Sequence, residues 1–193
     1  DGDAGSSGQV LSSTSTGTDW IDAPSGGSGG SPGKMVLSAE YAGAVLDADG
    51  TNNSLNMTSD NIGTPTFMNY YQASNSLVTG GTNDFDVIVR ITIPDGFTGW
   101  DASAIQLATS GTTNASYQAT IFNTSGTALV TGSTTNGTGS AAFFSTSTIA
   151  TNANLSSLSA GDTFVIAIKM TVTSVAVVGN SFMRIGDIII NYQ

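Results

Sequence analysis

The sequence predicts an all-β protein, an antiparallel β-sandwich of jelly-roll type with an extended N-terminal arm, and three observations lead there. Thirteen of the fourteen acidic residues are Asp, and Glu40 is the single Glu. Asp favours turns and caps whereas Glu favours helix interiors, so the skew argues for strands joined by many turns. Good helix formers are scarce throughout: the basic residues number four, Lys34, Arg90, Lys169 and Arg184. Finally, short β-branched and aromatic runs recur between Gly, Asn, Asp and Ser clusters at the spacing of a sandwich.

The elements follow in chain order. Residues 1–33 read as an arm, because "PSGGSGGSPG" from Pro24 to Gly33 is a flexible polar linker bracketed by prolines. Within the arm, "QVLSS" and "DWIDA" carry the apolar pairs Val10-Leu11 and Trp20-Ile21, which are too small to form a core of their own. Residues 34–193 read as the sandwich. Its strands are expected in "KMVLSAEY", "GAVLDA", "SLNMTS", "FMNYYQAS", "DFDVIVRITIP", "SAIQLAT", "ASYQATIFNT", "TALVTGS", "SAAFFSTST", "TFVIAIKMTVTS", "VAVVGNS" and "FMRIGDIIINYQ". In "FDVIVRITI" the residues Phe85, Val87, Val89, Ile91 and Ile93 fall on one face, with Asp86, Ile88, Arg90 and Thr92 on the other. Phe164, Ile166, Ile168, Met170 and Val172 repeat the pattern, and "RIGDIIINY" closes the chain as another strand.

Composition excludes several classes of function. The formal net charge of −10 repels phosphate backbones and anionic lipid, so neither nucleic acid nor a membrane surface is an expected partner. No apolar run approaches the roughly 20 residues that span a bilayer. With no His and no Cys, Ser-His-Asp and Cys-His arrangements and the usual zinc sites cannot be built. Paired carboxylates, Glu40 with Asp84 or Asp86, remain as the only catalytic candidates, and turn and cap roles explain these acids with less; no enzyme is read here. A Ser/Thr/Asn/Gly-rich, Lys-poor chain that opens at Asp1 without a leader reads as a mature or excised piece of an extracellular or cell-surface protein.

Two binding sites can be drawn from local pattern. "DADGTNN" offers oxygens at alternate positions, making Asp47, Asp49 and Asn53 candidate calcium ligands, although the closing bidentate Glu of an EF-hand loop is missing. A hairpin turn between "GAVL" and "SLNM" accounts for the same residues. No other cofactor is expected. Tyr70, Tyr71 and Trp100 are candidates for stacking on sugar rings, set against the ordinary core role of aromatics on strands. Asn52, Asn56, Asn114, Asn123, Asn136 and Asn154 stand in glycosylation sequons, a pattern common by chance in a chain this rich in Asn, Ser and Thr.

The arm's "GSSGQVLSSTSTGTDWIDAP" resembles a module of phage tail fibres and fibre-like bacterial surface proteins, through Gly5, Gly8, Gln9, Val10, Leu11, Ser13, Gly17 and Trp20. The domain's "LSAEYAGAVLDADGTNN" and "NYYQAS" resemble the C-terminal β-domains of long repetitive extracellular proteins of uncultivated bacteria. These resemblances imply a structural or adhesive part of a multimeric fibre. The expected function is therefore a structural subunit or tip domain of an extracellular filament. Its partners would be copies of itself, joined by burial of Val10, Leu11, Trp20 and Ile21 or by strand exchange, the alternatives being an arm folded back on its own domain or a disordered tether. The alternative is a carbohydrate-binding or adhesive module that recognises a surface glycan.

Overall fold

The computed structural model describes residues 9–14, 17–22, 32–49, 55–61, 69–75, 81–138, 144–174 and 181–193. The chain divides into two compact units, Asp1–Ser31 and Pro32–Gln193. In the first, β1 (Gln9–Thr14) and β2 (Gly17–Asp22) form an antiparallel pair that sets Val10 opposite Ile21 and Leu11 opposite Trp20.

The second unit is a β-sandwich. Its strands are β3 (Gly33–Leu37), β4 (Val45–Asp49), β5 (Leu55–Asn61), β6 (Asn69–Asn75), β7 (Gly81–Thr92), β8 (Trp100–Gly111) and β9 (Ala115–Asn123), followed by β10 (Ala128–Thr131), β11 (Thr135–Asn136), β12 (Ser145–Ala150), β13 (Thr163–Ser174) and β14 (Ser181–Tyr192). One six-stranded sheet runs β10-β9-β13-β7-β4, with β11 also on β9; the other runs β12-β8-β14-β6-β5, with β3 also on β14. Every described pairing is antiparallel. In chain order the strands change sheet at every step except from β5 to β6 and from β9 through β10 to β11.

Alternation in the sequence decides which side faces in. Phe85, Val87, Val89, Ile91 and Ile93 are buried, as are Phe164, Ile166, Ile168, Met170 and Val172, and together with Ile105, Leu107 and Ile121 they fill the space between the sheets. Along β14 the phase changes. Met183 and Ile185 point inward, then Ile188 and Ile190, because Gly186 and Asp187 insert a bulge against β8 between Ile185 and Ile188. At the same point the opposite edge of β14 passes from β6 to β3: Ile185 pairs with Tyr71, and Ile188 with Leu37. The Tyr41 hydroxyl donates to the Gly186 carbonyl there, and the Tyr41 ring meets Tyr71 edge-on with centroids 5.3 Å apart.

Three expectations change. "GAVL" and "SLNM" do not form a hairpin, since β4 pairs with β7 in one sheet and β5 with β6 in the other. Gly33 is not linker but the first residue of β3, opposite Tyr192; a Cβ there would collide with the Tyr192 ring. The run "VAVVGNS" falls outside the described residues except for Ser181, which opens β14.

Candidate functional site

Two connections at one end of the sandwich build a cleft of about 580 Å³, lined by Phe97, Thr98, Gly99, Trp100, Asn152, Ser156, Leu158, Ser159 and Ala160. That volume lies within the range of small-molecule sites, about 300–1,000 Å³. The first connection, "IPDGFTGW", turns at Asp95-Gly96, with the Phe97 amide donating to the Pro94 carbonyl at 3.1 Å. It is then sewn to Gln193, whose carbonyl accepts from the Thr98 and Gly99 amides at 2.5 and 3.2 Å.

The second connection, residues 151–162, is a string of tight turns. The Asn154 side-chain oxygen accepts from both the amide and the hydroxyl of Thr151, at 3.0 and 2.8 Å, and an Asp162 carboxylate oxygen accepts from the Ser159 amide at 2.8 Å. Leu155 and Leu158 plug this polar loop into the core. The two walls are also tied to each other. Ile93 and the 161–162 turn exchange backbone bonds of 2.8 and 3.1 Å, and the Trp100 indole N–H donates to the Leu155 carbonyl at 3.0 Å. Such cross-ties between walls are the kind of contact that lowers the ordering cost of binding.

Its chemistry is neutral. Phe97, Trp100 and Leu158 give an apolar floor, with Phe97 packed edge-on against Trp100 at 4.7 Å, and Thr98, Asn152, Ser156 and Ser159 supply hydroxyl and amide groups around it. None of the lining side chains titrates, so the lining itself offers no general acid or base.

Of the three stacking candidates, Trp100 lies in this cleft and the other two lie elsewhere. All are buried, Trp100 being 9 % exposed, so they form no common platform. Trp100 presents only part of its ring, since its other contacts are Phe164 at 6.0 Å and the Leu155 carbonyl. Tyr70 belongs to the outer face of the β14 sheet. There the Arg184 guanidinium carbon sits 4.6 Å from the Tyr70 ring centre and 4.5 Å from that of Phe182, its Nε donates to Gln72 Oε1 at 2.6 Å, and Tyr70 also packs on Phe144. Tyr71 faces the core beside Tyr41. Burial raises the pKa of both hydroxyls above the ordinary tyrosine value; the neighbouring Tyr71 and Asp187 push Tyr41 further, whereas backbone hydrogen bonds at Tyr41 and Glu40 offset part of the rise at Tyr71.

The acidic candidates lie on β4, on β7 and in the β3–β4 connection. Asp47 and Asp49 lie in β4, opposite Asp86 and Asp84 of β7, while Asn53 falls outside the described residues. Asp84 stands 3.7 Å from the Lys169 ammonium, and Glu40 lies in the β3–β4 connection with a left-handed φ of 70°. Among the described residues no three Asp, Glu, His or Cys side chains converge as a metal site. The assembly candidates Val10, Leu11, Trp20 and Ile21 come together on the β1–β2 hairpin by register, and their side chains are outside the described set.

Sequence reasoning missed Phe97, Asn152, Ser156, Leu158 and Ser159. A signal existed in "TNANLSSLSAGD", where turn residues surround two leucines three apart, a spacing that anchors a polar loop to a core.

No family model matches this chain, and no curated protein is similar to it in sequence. Among solved structures it is similar to the carbohydrate-binding module TmCBM61, solved in complex with β-1,4-galactotriose. That likeness has a TM-score of 0.45 and 10% identity over 79% of this chain and 89% of that one. It is also similar to the enzymatically active domain of tailspike protein 4 of bacteriophage CBA120, with a TM-score of 0.44 and 14% identity over 77% of this chain and 19% of that one.

Proposed function

We propose that the sandwich of Pro32–Gln193 is an extracellular module that binds a neutral saccharide in the Phe97–Trp100 cleft. The observation that carries this reading is the lining: an aromatic floor ringed by hydroxyl and amide groups with no charge among them. A sugar ring offers an apolar C–H face and a rim of hydroxyls, so it matches both parts of such a cleft at once. The walls are cross-tied before any ligand arrives, which keeps the ordering cost of binding small. A protein of net charge −10 disfavours polyanionic glycans, which narrows the class to uncharged ones.

The test is calorimetry and thermal melting of the full chain with a panel of neutral oligosaccharides. At a ligand concentration about 100-fold above Kd the melting temperature should rise by about 5 °C or more. Ser159→Trp, which fills the cleft from its exposed rim, should abolish the shift. A panel in which no neutral saccharide binds overturns the reading, and binding that survives Ser159→Trp moves the site to another surface.

A second reading is favoured by the arm. Gln9–Thr14 and Gly17–Asp22 form a two-stranded sheet as a unit of its own, and such a hairpin is marginally stable alone in water. We infer that it serves assembly, joining copies of the chain into a surface fibre whose sandwich domains display the saccharide site.

A further inference from the structure

Among the described residues the strands with one unpaired edge are β4, β10 and β11 in one sheet and β3, β5 and β12 in the other, and they are not equally protected. Edges that must stay unpaired usually carry charge, proline, a bulge or very short length. β4 carries Asp47 and Asp49, β5 carries Asp60 and β3 carries Lys34, while β10 and β11 are four and two residues long. β12, "STSTIA", has neither charge nor proline. It pairs with β8 in regular register from Ser145 to Thr148, with a register shift only at its end, between Thr148 and Ala150, and among the described residues nothing pairs with its other side.

A groove of about 240 Å³ runs beside β12, between it and the opposite sheet. Tyr117, Ala119 and Ile149 give it an apolar base, and Ser133, Thr135 and Ser147 a small polar rim. A strand added to β12 would direct every second side chain toward that groove.

We propose that the open edge of β12 accepts strand β1 of a second copy of this chain, a statement that rests on the assembly reading above and gives it a receiving surface. β1, "QVLSST", is uncharged like β12, whereas β2 carries Asp19 and Asp22. Val10 and Leu11 are adjacent in β1, so either register of addition directs one aliphatic residue to the apolar base. Since β1 already pairs with β2, the union extends the β12-β8-β14-β6-β5 sheet by a whole hairpin and relieves the hairpin of its isolation.

The experiment measures the mass of the full-length chain by light scattering over a concentration series. Wild type should grow beyond the mass of one chain. Leu11→Pro, which breaks β1 as a strand, and Thr146→Asp with Thr148→Asp, which charge two exposed positions of β12, should both stay at the mass of one chain. Val45→Asp, on the exposed outer strand of the other sheet, should assemble as wild type does. Because the Thr148 hydroxyl bonds Ser103, Thr146→Asp alone serves as the second variant should the pair lower the melting temperature. If the β12 variants assemble like wild type while Leu11→Pro does not, the receiving surface is overturned and the assembly reading stands. A wild type that stays monomeric, or a Leu11→Pro variant that assembles normally, overturns both.

Discussion

β13 and β14 are each twelve residues long and each stands inside its sheet, yet they are built to different ends. β13 alternates without a break and is flanked by two uninterrupted ladders, β7 along its whole length and β9 from Phe164 to Val172. β14 changes phase at Gly186, divides one edge between β6 and β3, and draws in the Tyr41 hydroxyl at the division. The regular strand contributes mass to the core. The irregular one contributes position, because its interruption fixes where β3, β6 and the Tyr41-Tyr71 pair meet. Regularity and specificity are thus supplied by different strands of one sandwich.

The comparison breaks most visibly at the centre of β13. Ile168 is fully buried between Val87 and Ala119, so Ile168→Ala should lower stability by about 2–5 kcal/mol in denaturant titrations, through lost burial and the cavity left behind. A loss under about 1 kcal/mol would mean that β13 is not the packing centre.

A smaller effect belongs to β14. Tyr41→Phe keeps the ring but leaves the buried Gly186 carbonyl without this donor, a loss of about 1–3 kcal/mol. The same two tyrosines carry a pH signature. Their folded pKa values are raised chiefly by burial, so above pH 10.0, the ordinary tyrosine value, the unfolded chain gives up protons that the folded chain retains. Stability is therefore level below that pH and falls above it, by about 1.4 kcal/mol per pH unit for the deeply buried Tyr41, with Tyr71 acting in the same direction. Urea midpoints from pH 9 to 11 should decline in wild type and decline less steeply in Tyr41→Phe.

The least effect is expected on the outer face of β13. Lys169 and Asp84 are 3.7 Å apart and both partly exposed, so Lys169→Ala should change stability by no more than about 1 kcal/mol, and less in high salt. A larger change would show that the outer face of β13, and not its inner face alone, holds the sheet.

How much of this was legible follows from the same contrast. Period-two alternation is local, so the inner faces of β7 and β13 could be read directly from "FDVIVRITI" and "TFVIAIKMTVT". In "RIGDIIINY" the lone Gly186 was a cue to a bulge, but nothing in the run says which two strands would divide the edge. The cleft was harder still. Trp100 could be singled out by residue type, yet its hydrogen-bond partner is Leu155, and the loop that carries Leu155 has no periodicity to announce it. Arg184 meets Gln72 across 112 positions of sequence for the same reason. Sites depend on which connections the topology brings together, and that is decided by the whole chain.

The pairing of β3 with β14 also bears on how the domain answers force. Gly33 and Tyr192 stand opposite each other at one end of that ladder. A pull applied between them opens the ladder one pair at a time, as a zipper opens, instead of loading all its bonds together in shear. Within a fibre, tension led through both points would peel the sandwich at low load. On the assembly reading proposed above, tension taken up by the arm alone would bypass this ladder.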